Sequence, residues 1–213
     1  MKKKLSIELV VDIVCPWCFV GKKNFLDAVE ATKDQYDFQI RILPYQLDPS
    51  SPQERVNRRQ YLINKFGGEA RVNEAEGRVK MAAQAAGTDI HMEKMLVHIN
   101  TFDCHRVIWW AGTKGKQLEV TNAIYDAYYL QGADFSKNKN LAQVVSSVGF
   151  KAEEVEAFLE SKDGRSEVLA MIEEISELGI SGVPFFILNR KAGISGAQPK
   201  EAFVQVFKEI AGT

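Results

Sequence analysis

One junction near the start of the chain limits its fold more than anything else. Leu5 to Val14 is a nearly continuous apolar run rich in Ile and Val, the pattern of a buried strand. Cys15-Pro16-Trp17-Cys18 follows at once. A helical pattern comes next, with Phe19, Phe25, Leu26 and Val29 apolar and Lys22, Lys23, Asp27 and Glu30 between them. Tyr36 to Leu43 then alternates Phe38, Ile40 and Ile42 against Gln39 and Arg41, which is strand periodicity, and Pro44 ends it. The chain therefore opens β-α-β.

Leu47 to Pro52, with two prolines and two serines, reads as a linker. From Gln53 to about Gly179 the signals are helical only. Apolar stripes end in turn at Gly67-Gly68, Gly87, Gly115, Gly132, Gly149 and Gly179, where glycine stops a helix readily. Strand character returns at Pro184 to Leu188. Ala192 to Ser195 supplies a short partner strand, and Gln198-Pro199 opens a final amphipathic helix. The ends thus form one sheet domain, residues 1–48 and 180–213, interrupted by an inserted helical domain over 49–179.

The bulk numbers exclude several classes. With 213 residues, 46% hydrophobic, the chain can bury a substantial core. Its 27 basic and 28 acidic residues balance, which gives no electrostatic case for nucleic acid or an anionic membrane. No segment approaches the ~18 uninterrupted apolar residues of a spanning helix. Met1-Lys2-Lys3-Lys4 imitates the basic start of a signal peptide, but Glu8 and Asp12 interrupt the apolar stretch and no small-residue cleavage site precedes Cys15. A cytoplasmic location is expected. Three cysteines are too few for a disulfide framework, so the C-x-x-C spacing of two of them is the informative fact.

Proline is favoured at the first helical position because its missing N–H would be unpaired there. Pro16 therefore makes Cys15 the N-cap, where a thiolate would accept hydrogen bonds from the Trp17 and Cys18 N–H groups and face the positive end of the helix dipole. The Cys15 pKa is expected below the ~8.5 of a free thiol. Cys18 lies three residues on, on the same face and deeper in the helix. Cys15 is thus predicted to attack a substrate sulfur and Cys18 to resolve the mixed disulfide. The competing reading, a zinc site, needs four ligands, which only Cys104 and His105 could complete.

Other residues carry two readings each. In Gly182-Val183-Pro184-Phe185-Phe186, the Val–Pro bond is a candidate cis peptide that would present the Val183 backbone to an extended substrate; a trans proline opening a strand is the alternative. Asp12 is either a buried carboxylate that takes a proton from Cys18 or a strand-end carboxylate bonded to loop amides. Trp17 shields the site or caps the insertion. Cys104 shares a helical face with Ile108 and Ala111, as a core thiol does. His105 points elsewhere, either over the cysteines or into packing.

These landmarks together resemble the DsbA-like thioredoxin superfamily, and most closely its FrnE-like branch. The residues are Asp12 with Cys15-Pro16-Trp17-Cys18, Asn100-Thr101 with His105-Arg106, Gly182 to Phe186, and Ser195-Gly196-Ala197-Gln198-Pro199, in that order along the whole chain. The resemblance implies an α/β thioredoxin-like fold with a large all-helical insertion, a cis Pro184, and disulfide oxidoreductase activity on protein or small-molecule thiols and disulfides. It implies no cofactor beyond the Cys15–Cys18 disulfide, with glutathione as the one candidate co-substrate. Two departures stand out: Cys104 occupies a position where alanine is expected, and no second cysteine pair follows near the C-terminus. Kappa-class glutathione transferases and 2-hydroxychromene-2-carboxylate isomerases are similar in architecture but typically carry serine where Cys15 stands. In them the cis-proline loop and a region like Ser195-Gly196 hold glutathione, which keeps a glutathione-dependent isomerase or transferase as the alternative function.

Overall fold

In a computed structural model, which describes residues 2–212, the N-terminal apolar run forms β1 (Lys3–Val11). β1 pairs in parallel with β2 (Tyr36–Pro44) and antiparallel with β5 (Phe185–Leu188). β6 (Ala192–Ser195) pairs antiparallel with β5 and completes the sheet order β2-β1-β5-β6. A strand with partners on both edges and helices on both faces has no polar face, which is why β1 does not alternate. The strand ends at Val11, where the sequence pattern predicts Val14. Asp12 to Val14 form a turn, closed by the Cys15 N–H to the Asp12 carbonyl at 3.1 Å. Ile13 and Val14 are apolar because the turn is packed into the core, not because they pair.

On one face of the sheet lie α1 (Pro16–Thr32) and α9 (Lys200–Gly212). Phe25 of α1 meets Phe186 of β5 at 5.4 Å between ring centroids, and Phe203 and Phe207 of α9 at 5.6 and 6.1 Å. The other face is covered by α8 (Arg165–Glu177), whose Ile175 packs on Val10 and Leu43. Alternation along β1 sends Leu9 to the first face and Val10 to the second.

Between β2 and α8 the chain forms β3 (Val56–Asn57), α2 (Arg58–Phe66), α3 (Glu69–Ala85), a 3₁₀ turn at Met92–Lys94, β4 (Val97–His98), α4 (Phe102–Gly112), α5 (Gln117–Gln131), α6 (Asn138–Ser146) and α7 (Ala152–Glu160). The insertion is therefore not all helical: β3 and β4 pair antiparallel, Val56 with His98 and Asn57 with Val97. Two-residue strands carry no readable period, so their pairing comes from the surrounding packing.

Buried polar groups fasten this block. Arg106 of α4 is 1% exposed and donates to the carbonyls of Phe158, Leu159, Ser161 and Asp163, holding α4 against the α7–α8 turn. Gln117 of α5 accepts from the Ile42 N–H at 2.9 Å and donates to its carbonyl at 3.1 Å. β2 is an edge strand, and this side chain closes part of its open edge.

Candidate active site

The turn between β1 and α1 holds the cysteine pair, and its backbone is fixed from three directions. The Tyr125 hydroxyl donates to the Asp12 carbonyl and the Tyr129 hydroxyl to the Ile13 carbonyl, each at 2.9 Å. The Tyr45 N–H reaches the Val11 carbonyl at 2.9 Å. A buried loop needs such partners for its carbonyls. Phe19, just beyond Cys18, stacks on Tyr129 at 5.0 Å, so α5 packs directly under the start of α1.

Cys15 is the N-cap of α1 with Pro16 at the first helical position. Its side chain makes no capping hydrogen bond, contrary to the expectation from sequence. The Cys18 N–H is taken instead by the Cys15 carbonyl at 3.0 Å. The Cys15 thiol instead donates to the Val183 carbonyl at 3.6 Å. The Val183–Pro184 peptide bond is cis. Cys15 is 4% exposed and Cys18 fully buried. Burial, followed by a hydrogen bond to Cys15, holds the Cys18 thiol well above its ordinary pKa; the Asp12 backbone opposes this and the Asp12 carboxylate adds to it. All three cysteines are free thiols.

Asp12 is fully buried beneath the pair. One carboxylate oxygen accepts from the Leu47 N–H at 2.8 Å. The other lies 3.4 Å from His105 Nε2, which also meets the Tyr45 carbonyl at 2.9 Å. A carbonyl only accepts, so Nε2 carries the hydrogen. His105 is therefore a core residue behind Asp12, not part of a cleft wall. This arrangement also removes it from the zinc reading. Among the described residues no group of three or more His, Cys, Asp or Glu is placed to hold a metal. Cys104 is buried among apolar side chains, where desolvation keeps its thiol protonated.

The hairpin behind Pro184 brings in the remaining predicted residues. The Gly196 N–H donates to the Pro184 carbonyl at 2.9 Å, and Ser195 is exposed at the same corner, its carbonyl bonded by Gln198 Nε2 at 2.9 Å. Sequence reasoning missed Gly21. A Cβ there would come within 2.9 Å of the Pro184 ring and 3.2 Å of the Ala197 backbone, so the glycine lets α1 lie against the proline. A glycine inside a helical pattern was the available signal.

A cleft of about 360 Å³ opens beside Cys15, walled by Val14, Pro16, Trp17 and Val183 on one side and by α2, α3 and β4 on the other. Trp17, 37% exposed, forms part of its lip. Its far wall includes Arg58, Tyr61, Lys65 and His98, which no sequence motif singled out, because chain segments far apart in sequence build it.

A cis-proline loop facing a C-x-x-C pair, on a four-stranded sheet with a large insertion, defines the thioredoxin-like class of redox folds. Residues 6–208 match the DSBA-like thioredoxin domain family, and the chain belongs to it. It is 30% identical to a probable DsbA oxidoreductase of Streptomyces coelicolor, over 98% of this chain and 90% of that one, with a TM-score of 0.90. The fold is shared, at 15% identity, with a 2-hydroxychromene-2-carboxylate isomerase (TM-score 0.72, covering 97% of this chain and 95% of that one). It is also shared, again at 15% identity, with the cytosolic disulfide reductase DsbM of Pseudomonas aeruginosa with GSH (TM-score 0.71, 98% and 100%).

Proposed function

We propose that this chain is a thiol–disulfide oxidoreductase of the FrnE-like kind, with Cys15 as attacking and Cys18 as resolving thiol. One observation carries the reading: the Cys15 thiol faces the Val183 carbonyl next to Pro184, with Cys18 buried directly behind it. In this reading the Cys15 thiolate attacks one sulfur of a substrate disulfide and expels the other as a thiolate. The Cys18 thiol then loses its proton and attacks the Cys15 sulfur, releasing the second substrate thiol and leaving the Cys15–Cys18 disulfide. The oxidase direction is the reverse. Because burial holds the Cys18 proton, the resolving step needs an acceptor, and Asp12 with His105 behind it is the buried polar group at that position. The Val183 backbone and the Ser195–Gly196 corner would bind an extended substrate alongside Pro184.

In this reading the chemistry runs in the cytoplasm with glutathione as co-substrate; the similarity to DsbM, a cytosolic disulfide reductase solved with GSH, supports both parts. The inserted segment, 49–179, would supply the substrate-facing wall of the cleft. The alternative, a glutathione-dependent isomerase or transferase, draws on the fold shared with the isomerase, and the pair of thiols speaks against it. The test is exchange with an oxidised peptide followed by mass spectrometry. Cys18→Ser should accumulate a mixed disulfide at Cys15, and Cys15→Ser should form none. Exchange that survives Cys15→Ser would end the redox reading; isomerase turnover that survives Cys18→Ser would favour the alternative.

A further inference from the structure

The cleft beside Cys15 has a chemistry of its own. Besides its polar groups, its far wall carries the apolar side chains Leu62, Phe66, Val72, Val79 and Met92. Its charged side chains are three cations, Arg58, Lys65 and Arg78, and one acid, Glu76. Glu76 is already bound by Arg58 at 2.8 Å and by Arg59 at 3.1 Å. Arg78 pairs with Glu74 on the helix surface. Lys65 is different. Among the described residues its ammonium pairs with no carboxylate and touches the neutral Tyr61 hydroxyl at 3.1 Å.

The wall around Lys65 is preorganised. The Tyr61 ring stacks on His98 at 3.6 Å between centroids, and its hydroxyl donates to Asp48 at 3.0 Å. The Asp48 carboxylate also accepts from Ser50, and the Lys65 charge helps to hold its pKa down across the shared Tyr61 hydroxyl without forming a direct ion pair. Lys65 also lies over the Tyr61 ring, 5.4 Å from its centroid. An apolar slot lined by Cys15, with one cation that no carboxylate meets directly among the described residues, selects for a particular kind of molecule. A highly polar peptide with several charges would leave groups unpaired against the apolar wall. A molecule with an apolar body and one acid group satisfies both surfaces, and about 360 Å³ is within the size of small-molecule sites.

We infer that this cleft binds a small amphipathic monoanion that carries a thiol or disulfide, its acid group on Lys65, its body against Leu62 and Val79, and its sulfur toward Cys15. The inference names a substrate class for the site proposed above and so rests on that reading, but binding is testable without the redox step.

The experiment is calorimetric titration of the full chain carrying Cys15→Ser, with lipoic acid and lipoamide as probes. The two share a dithiolane ring and an apolar chain and differ in charge. Lipoate should bind saturably and at least fivefold more tightly than lipoamide. Lys65→Ala, at an exposed position, should bring lipoate down to the lipoamide affinity and leave lipoamide unchanged, and Lys65→Arg should restore most of the difference. Equal affinities for the two probes, or no saturable lipoate binding, would overturn the inference. If in addition the unmodified chain still exchanged disulfides with an oxidised peptide, the inference would fail while the redox reading stood. If it exchanged with no disulfide at all, the redox reading would fail separately.

Discussion

The Cys15 thiol lies 3.6 Å from the carbonyl oxygen of Val183, a residue 168 positions away in the chain. That contact joins the first helix to the strand that returns after the insertion, and it sets which sulfur faces outward. Cys18, one turn deeper, touches Cys15 and has no route to solvent.

Alkylation should therefore be selective. Burial raises the thiol pKa of both Cys18 and Cys104, so both stay protonated and enclosed near neutral pH. Brief treatment of the reduced native protein with iodoacetamide at pH 7, followed by peptide mass spectrometry, should label Cys15 alone. Labelling of Cys18 or Cys104 at a comparable rate would contradict the burial described here.

Gly21→Ala should damage both stability and exchange. The new methyl would meet the Pro184 ring at 2.9 Å and the Ala197 backbone at 3.2 Å, closer than side chains pack. Overpacking of this kind costs about 1–3 kcal/mol. Urea denaturation should show that loss, and disulfide exchange should slow because α1 is pushed off the proline loop. Unchanged exchange with unchanged stability would mean that the helix has more room than the contact indicates.

Asp12 serves the loop and the proposed proton transfer together, and two substitutions separate the roles. Asp12→Ala leaves the Leu47 N–H without its acceptor and should cost about 1–3 kcal/mol. Asp12→Asn keeps an acceptor for that N–H but cannot take up a proton. Its stability should stay closer to the parent. Release of the mixed disulfide by Cys18 should slow in Asp12→Asn, and its pH profile should change shape. An Asp12→Asn protein with the parental profile would leave Asp12 a structural role only.

His98 should give the protein a pH-dependent stability. Burial lowers its pKa from 6.5 to about 4, partly opposed by the Asp48 carboxylate. Between those values the unfolded chain binds a proton that the folded chain does not, so stability falls as pH drops from 6.5 through 4. His98→Phe, which keeps a ring against Tyr61, should flatten that part of the profile in denaturant melts at a series of pH values. An equally steep loss in the variant would assign the acid sensitivity to other groups.

The strand-to-helix junction at Cys15, the succession along the chain of the four strands of the main sheet, the Val183–Pro184 turn and the separation of the two cysteines by one helical turn were all legible in the sequence. Each depends on neighbours within a few residues: an apolar run, a proline at a helix start, a spacing of three. Other features were decided only when distant segments met. The Cys15 side chain left its capping position for Val183 because the returning strand supplied an acceptor. His105 turned inward because Asp12 and Tyr45 offered partners across the core. Val56 and Asn57 became strand residues only by meeting His98 and Val97 across the fold. The cleft, with Lys65 on one side and Cys15 at its end, belongs to no single stretch of chain. Local pattern records what a residue prefers next to its neighbours; partners brought in by packing are set by contacts that no short window of sequence contains.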